Sequence, residues 1–87
     1  MAVIVLNHDV KDFATWKTHY VADTARRNNA GLKEIALGTK SDNPHKVYII
    51  WEGDPKNLEP MLTDPDLEKV MKEAGVVSKP EVIVINT

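Results

Sequence analysis

Cysteine is absent from all 87 residues. That excludes disulfides, thiolate nucleophiles and every zinc or iron–sulfur site built on thiolates. Charge of one sign is also missing: 11 Lys and Arg are scattered among 13 Asp and Glu, for a net charge of −2. No basic stripe exists to follow a phosphate backbone, so a nucleic-acid partner is not expected. Long apolar runs are lacking too. The opening Ala2-Val3-Ile4-Val5-Leu6 is five residues long and leads straight into Asn7-His8-Asp9. It is too short for a membrane span or a signal-peptide core, and the expected address is the cytoplasm. No GxSxG, P-loop, GxGxxG or HExxH motif occurs, so neither a bound nucleotide nor another stored cofactor is implied. Three histidines spread over different elements have no metal-ligand spacing, and no metal site is expected.

What is present reads as one domain over residues 1–87, of ordinary globular composition, with 43% apolar and 28% charged residues. Residues 2–8 are a β-branched run with no turn residue, which predicts a first strand. Asp9, with Asp12 three places on, offers a cap for a first helix reaching about Ala30. Val10, Phe13, Trp16 and Tyr20 form its apolar stripe, and Gly31 ends it. A second strand at 32–40 turns through Ser41-Asp42-Asn43-Pro44-His45 into a third strand at 46–52. Asp54-Pro55 opens a second helix, Thr63-Asp64-Pro65 interrupts it, and Leu67, Val70, Met71 and Ala74 stripe its second piece up to Gly75. Residues 81–86 make the fourth strand.

That order, with right-handed crossovers, predicts an α+β, ferredoxin-like βαββαβ fold: a four-stranded sheet ordered 4-1-3-2 with two helices on one face. Strands 1 and 3 are expected to be central and parallel. Strands 1, 3 and 4 are apolar at successive positions, not alternating: Val3 and Val5 against Ile4 and Leu6, Tyr48 and Ile50 against Val47, Ile49 and Trp51. Two helices cover one face, and the exposed remainder is expected to lie at or above the apolar patch a monomer usually carries. A homodimer with facing sheets is the expected cover.

The segment Leu6-Asn7-His8-Asp9-Val10-Lys11-Asp12-Phe13, continuing to Trp16-Lys17 and Tyr20, resembles the opening of dimeric α+β barrel proteins related to antibiotic-biosynthesis monooxygenases. Asp64-Pro65-Asp66-Leu67, Met71, Ala74-Gly75-Val76 and Pro80 extend that resemblance over essentially the whole chain. It implies a dimeric barrel with a small-molecule pocket between sheet and helices in each subunit. Activities in that superfamily range from cofactor-independent monooxygenation and polyketide cyclisation to haem degradation, and fold does not choose among them. The haem-degrading branch uses a His on the second helix. Here Met71 lies near that place, which argues against haem.

Candidate site residues follow. His8 and Glu52 end the two central strands and are expected to be neighbours, as a base and its carboxylate. Asn7 and Trp51 resemble pocket-lining positions of the haem-degrading branch. Trp16, Tyr20 and Met71 lie on helix stripes that face either a cavity or plain core. The expected function is a cofactor-independent monooxygenase or cyclase acting on an aromatic or polyketide-like substrate. The alternative is a ligand-binding or regulatory dimer without catalysis.

Overall fold

The structure, a computed structural model that describes residues 2–87, is built from four strands and four short helices. The strands are β1 (Ala2–Asp9), β2 (Lys33–Lys40), β3 (Asn43–Gly53) and β4 (Glu81–Asn86). The helices are α1 (Phe13–Ala22), α2 (Thr24–Asn29), α3 (Leu58–Leu62) and α4 (Pro65–Glu73), with a single 3₁₀ turn at Pro55–Asn57 before α3. The sheet runs β2-β3-β1-β4, which is the expected 4-1-3-2 order.

The direction of β3 corrects the expectation. β1 and β3 are antiparallel, with Ala2 opposite Gly53 and Asp9 opposite Lys46. The right-handed crossover through α1 and α2 makes β2 parallel to β1, and the tight Ser41-Asp42 turn reverses β3. Because β3 lies between β2 and β1, it must oppose β1. Helix α1 and the Pro55 turn therefore start at opposite ends of the sheet.

Local chemistry sets the helix boundaries. Asp12, not Asp9, caps α1: its carboxylate accepts from Thr15 N at 2.9 Å and from Thr15 Oγ1 at 2.7 Å. Asp9 instead completes β1. The first helical region breaks at Asp23, where the backbone leaves helical geometry and the carboxylate turns to Arg26 at 2.8 Å. Asp54 and Asp64 cap the later helical segments, each followed by Pro in the first turn. Gly31 and Gly75 close their helices at φ +69° and +85°, a region where a Cβ is strained. Pro44 falls within β3, but beyond the last residue paired to β1 and beside a bulge in the β2 ladder, where a missing N–H is tolerated.

The core lies between the sheet and the helices. Ile4, Leu6, Val47, Ile49 and Trp51 supply its floor, with Trp16, Leu58 and Met61 above. Directly opposed residues share a face, so the pairs Val5–Ile50, Val5–Ile83 and Val3–Ile85 lie on the side away from the helices. Ile83 and Ile85 remain 48% and 49% exposed there. No helix of the described residues is long and apolar enough to cross a membrane.

Candidate functional site

Among the described residues, His8 is the one whose side-chain polar atoms are wholly shut off from solvent without a hydrogen-bond partner. It is 3% exposed, and neither Nδ1 nor Nε2 meets a donor or acceptor. Strand alternation puts it there: Ile4, Leu6 and His8 all face the helices. The sequence thus places an imidazole where a core aliphatic residue would fit. Its ring meets Trp16 edge-on, with centroids 5.4 Å apart and planes at 83°. Burial pushes its pKa down from 6.5 to about 4, with Asp9 pulling up and Lys46 adding to the depression. At neutral pH the ring is uncharged, one nitrogen a donor and the other an acceptor.

His8 borders a cavity of about 60 Å³ between the sheet and helices α1 and α4, with Trp16, Ile49, Trp51, Met71 and Ala74 in its wall. Its polar rim is His19, Asp23, Arg26 and Arg27. Those groups are already engaged. His19 Nδ1 lies 3.0 Å from Thr15 O, and Arg27 donates to Tyr20 O at 2.8 Å and to Thr24 Oγ1 at 3.2 Å. Arg26 binds Asp23, Asp64 and Asp66 at 2.8, 2.7 and 2.9 Å. Both His8 nitrogens remain free to meet a guest.

The Arg26 cluster ties α2 to the start of α4, whose Leu67, Val70 and Met71 are only half-buried. An Arg26→Ala variant should keep the fold and free α4. Amides of residues 65–73 then exchange faster with deuterium while β1 and β3 amides keep their protection. Equal exchange in α4 would show that apolar packing alone holds it.

Other expected site residues divide. Trp16, Tyr20, Trp51 and Met71 do line the cavity. Trp16 and Tyr20 stack with centroids 4.9 Å apart, and Tyr20 Oη donates to Glu34 at 2.7 Å while accepting from Trp51 Nε1 at 3.2 Å. Burial, with the bond to Glu34, pushes the Tyr20 phenol up to about 12. Glu52 is not beside His8. It pairs with Val3 whereas His8 pairs with Val47, five residues and about 16 Å along the antiparallel ladder, on the other face. Asn7 is buried but, next to His8 in β1, lies on the face away from the cavity, opposite Tyr48. Of the two arginines in α2, Arg26 forms an ion cluster and Arg27 is a cation held 3.5 Å over the Tyr20 ring. Among the described residues no three His, Asp or Glu side chains converge as a metal site.

Sheet order and helix placement, with an imidazole-lined cavity between the layers, define a ferredoxin-like α+β domain. Its fold is shared, end to end, with solved structures of two named groups. One is an antibiotic biosynthesis monooxygenase, with TM-score 0.66 and 14% identity over 100% of this chain and 98% of that one. A protein assigned to the same activity from Bordetella bronchiseptica gives 0.71 and 14%, over 99% and 95%. An uncharacterised NIPSNAP domain protein from Burkholderia xenovorans gives 0.71 and 11%, over 100% and 94%. At these identities the similarity establishes the fold. No family profile matches the chain, and no curated protein sequence does.

Proposed function

We propose that the chain is a small-molecule-binding domain, active as a homodimer, that uses His8 as proton acceptor in cofactor-independent monooxygenation or cyclisation of a hydroxylated aromatic or polyketide-like substrate. The observation that carries this is the buried imidazole with both nitrogens unpartnered beside a cavity. An orphaned buried polar group costs about 1–3 kcal/mol, and a guest hydroxyl would satisfy it. The fold shared with antibiotic biosynthesis monooxygenases supports the reaction class.

A pKa of about 4 makes His8 a weak base in isolation. Proton transfer from a phenol or enol nonetheless creates an imidazolium beside an oxyanion inside an apolar wall. There their attraction is several times what water would allow, which offsets part of the cost. The homodimer rests on the open face of Val3, Val5, Tyr48, Ile50, Ile83 and Ile85, which the chain's own helices leave uncovered.

One observation favours a binding role without turnover. The 60 Å³ cavity is smaller than the roughly 150 Å³ needed to seat benzene, so an aromatic guest must open it. The two readings separate on His8→Ala. Under both, affinity for phenolic ligands falls at least about tenfold, the worth of a buried hydrogen bond. Only under the enzymatic reading does the wild type consume oxygen or cyclise its substrate, and the variant does not. Unchanged affinity in His8→Ala would remove the site altogether.

A further inference from the structure

A second concavity lies against the first. Between α1–α2 and the edge strand β2 runs an open groove of about 540 Å³, floored by Leu32, Leu37 and Trp51. Val21 and Ile35, among the most exposed large apolar residues at 56% and 52%, form its walls. A bulge in β2 between Glu34 and Ala36 sets Ile35 out of the ladder. Tyr20, Arg27 and Trp51 border both the groove and the His8 cavity, so they form the partition between them. The Tyr20 side chain is half-buried and is held by its bonds to Glu34 and Trp51 and by Arg27 over its ring. A rotamer change at this one residue would join the two spaces.

The groove's charges favour an anion. Lys17 and Arg27 border it together with the neutral donors Thr24 and Asn28, against the single carboxylate of Glu34. Glu34 is already bonded to Tyr20, whereas Lys17 has no ion pair among the described residues. The inner cavity offers a hydrogen bond to a hydroxyl but no room for a ring and no free cation.

We infer that the groove is an outer subsite for the carboxylate arm of a hydroxyaryl acid, whose hydroxyl end reaches His8 once Tyr20 swings aside. This rests on the His8 cavity being the ligand site. The ring then occupies the place that Tyr20 vacates, against Trp51, and the arm lies along Leu32 and Ile35 toward Lys17.

The test uses phenol, para-hydroxyphenylpropionate and the amide of that acid, titrated into wild type, Lys17→Met and Tyr20→Ala. The His8 ring protons and the Val21 and Ile35 methyls are followed by NMR. The acid is expected to shift both sets and to bind about fivefold more tightly than its amide, the scale of one partly exposed ion pair. Lys17→Met should erase that margin and leave phenol affinity unchanged, while Tyr20→Ala should quicken ligand exchange. Equal affinity of acid and amide, or silent methyls while phenol shifts His8, would overturn the outer subsite and spare the inner one. No shift at His8 with any probe would overturn the inner site, and this inference with it.

Discussion

Ile50→Lys is expected to convert the protein from a dimer to a monomer of 9.7 kDa. Ile50 stands opposite Val5 on β1 and Ala36 on β2, at the centre of the sheet face that no helix covers. In a two-fold assembly of facing sheets each substitution counts twice, and both ammonium groups lose water without gaining a partner. Several kcal/mol is more than a hundredfold in the dissociation constant. The chain alone keeps its helix-covered core, so the monomer should stay folded but melt at a lower temperature. Ile49→Lys, one residue away, aims its charge into that core, where Ile49 is 2% exposed, and should prevent folding. Light scattering and circular dichroism on the three proteins distinguish these outcomes. A wild type of 9.7 kDa at micromolar concentration would refute the dimer, and a dimeric Ile50→Lys would refute this face as its interface.

His8→Leu is expected to stabilise the protein while destroying its site, and the gain should grow as pH falls. At neutral pH the leucine removes two unsatisfied buried nitrogens and fills the same volume, a gain of about 1–3 kcal/mol. The pH dependence follows from the depressed pKa. Above pH 6.5 the imidazole is neutral both folded and unfolded and contributes no slope. As pH falls from 6.5 toward 4, the unfolded chain takes up a proton that the folded one refuses, so wild-type stability drops. The loss is about 2–3 kcal/mol by pH 4.5 and ends near pH 4, where folded His8 protonates as well. His19, Asp23, Arg26 and Arg27 at the cavity rim, and Asp9 and Lys46 nearby, are common to both proteins and largely cancel in the difference. Urea unfolding of both proteins at pH 7 and 4.5, at one protein concentration, reads the effect. A gap that stays constant with pH would mean that water or a local opening solvates His8.

The features legible in the sequence were those that local chemistry decides. The β-branched run at 2–8, the Asp-Pro pairs at 54–55 and 64–65, and the glycines at 31 and 75 each mark an element boundary through their own backbone preferences. The doubly apolar strands showed that one sheet face lacks a cover. Trp16, Tyr20 and Met71 were identifiable as inward-facing from helical spacing, though spacing cannot tell a cavity wall from filled core. What depended on tracing the chain through space was missed. Pairing His8 with Glu52 presumed parallel central strands, and the hairpin reverses β3, sending Glu52 to the far end. Asn7 was placed at the cavity although, as the neighbour of His8 in an extended strand, it must face the opposite way. Arg26 reaches Asp64 and Asp66 some forty residues on, a contact to which no periodicity points. His8 itself was identifiable from its position at the end of a strand, but its isolation was not, since an orphaned side chain is defined by neighbours that fail to reach it.

Whether His8 is a buried neutral imidazole open to a ligand is tested by an NMR titration of its ring, with and without phenol. The expected result is a midpoint near pH 4 in the free protein, no imidazolium at pH 7, and a shift of the ring resonances when phenol binds. A midpoint near pH 6.5 that phenol leaves unmoved would contradict this, because His8 would then be an ordinary solvated histidine and not the orphaned buried group on which the proposed site rests.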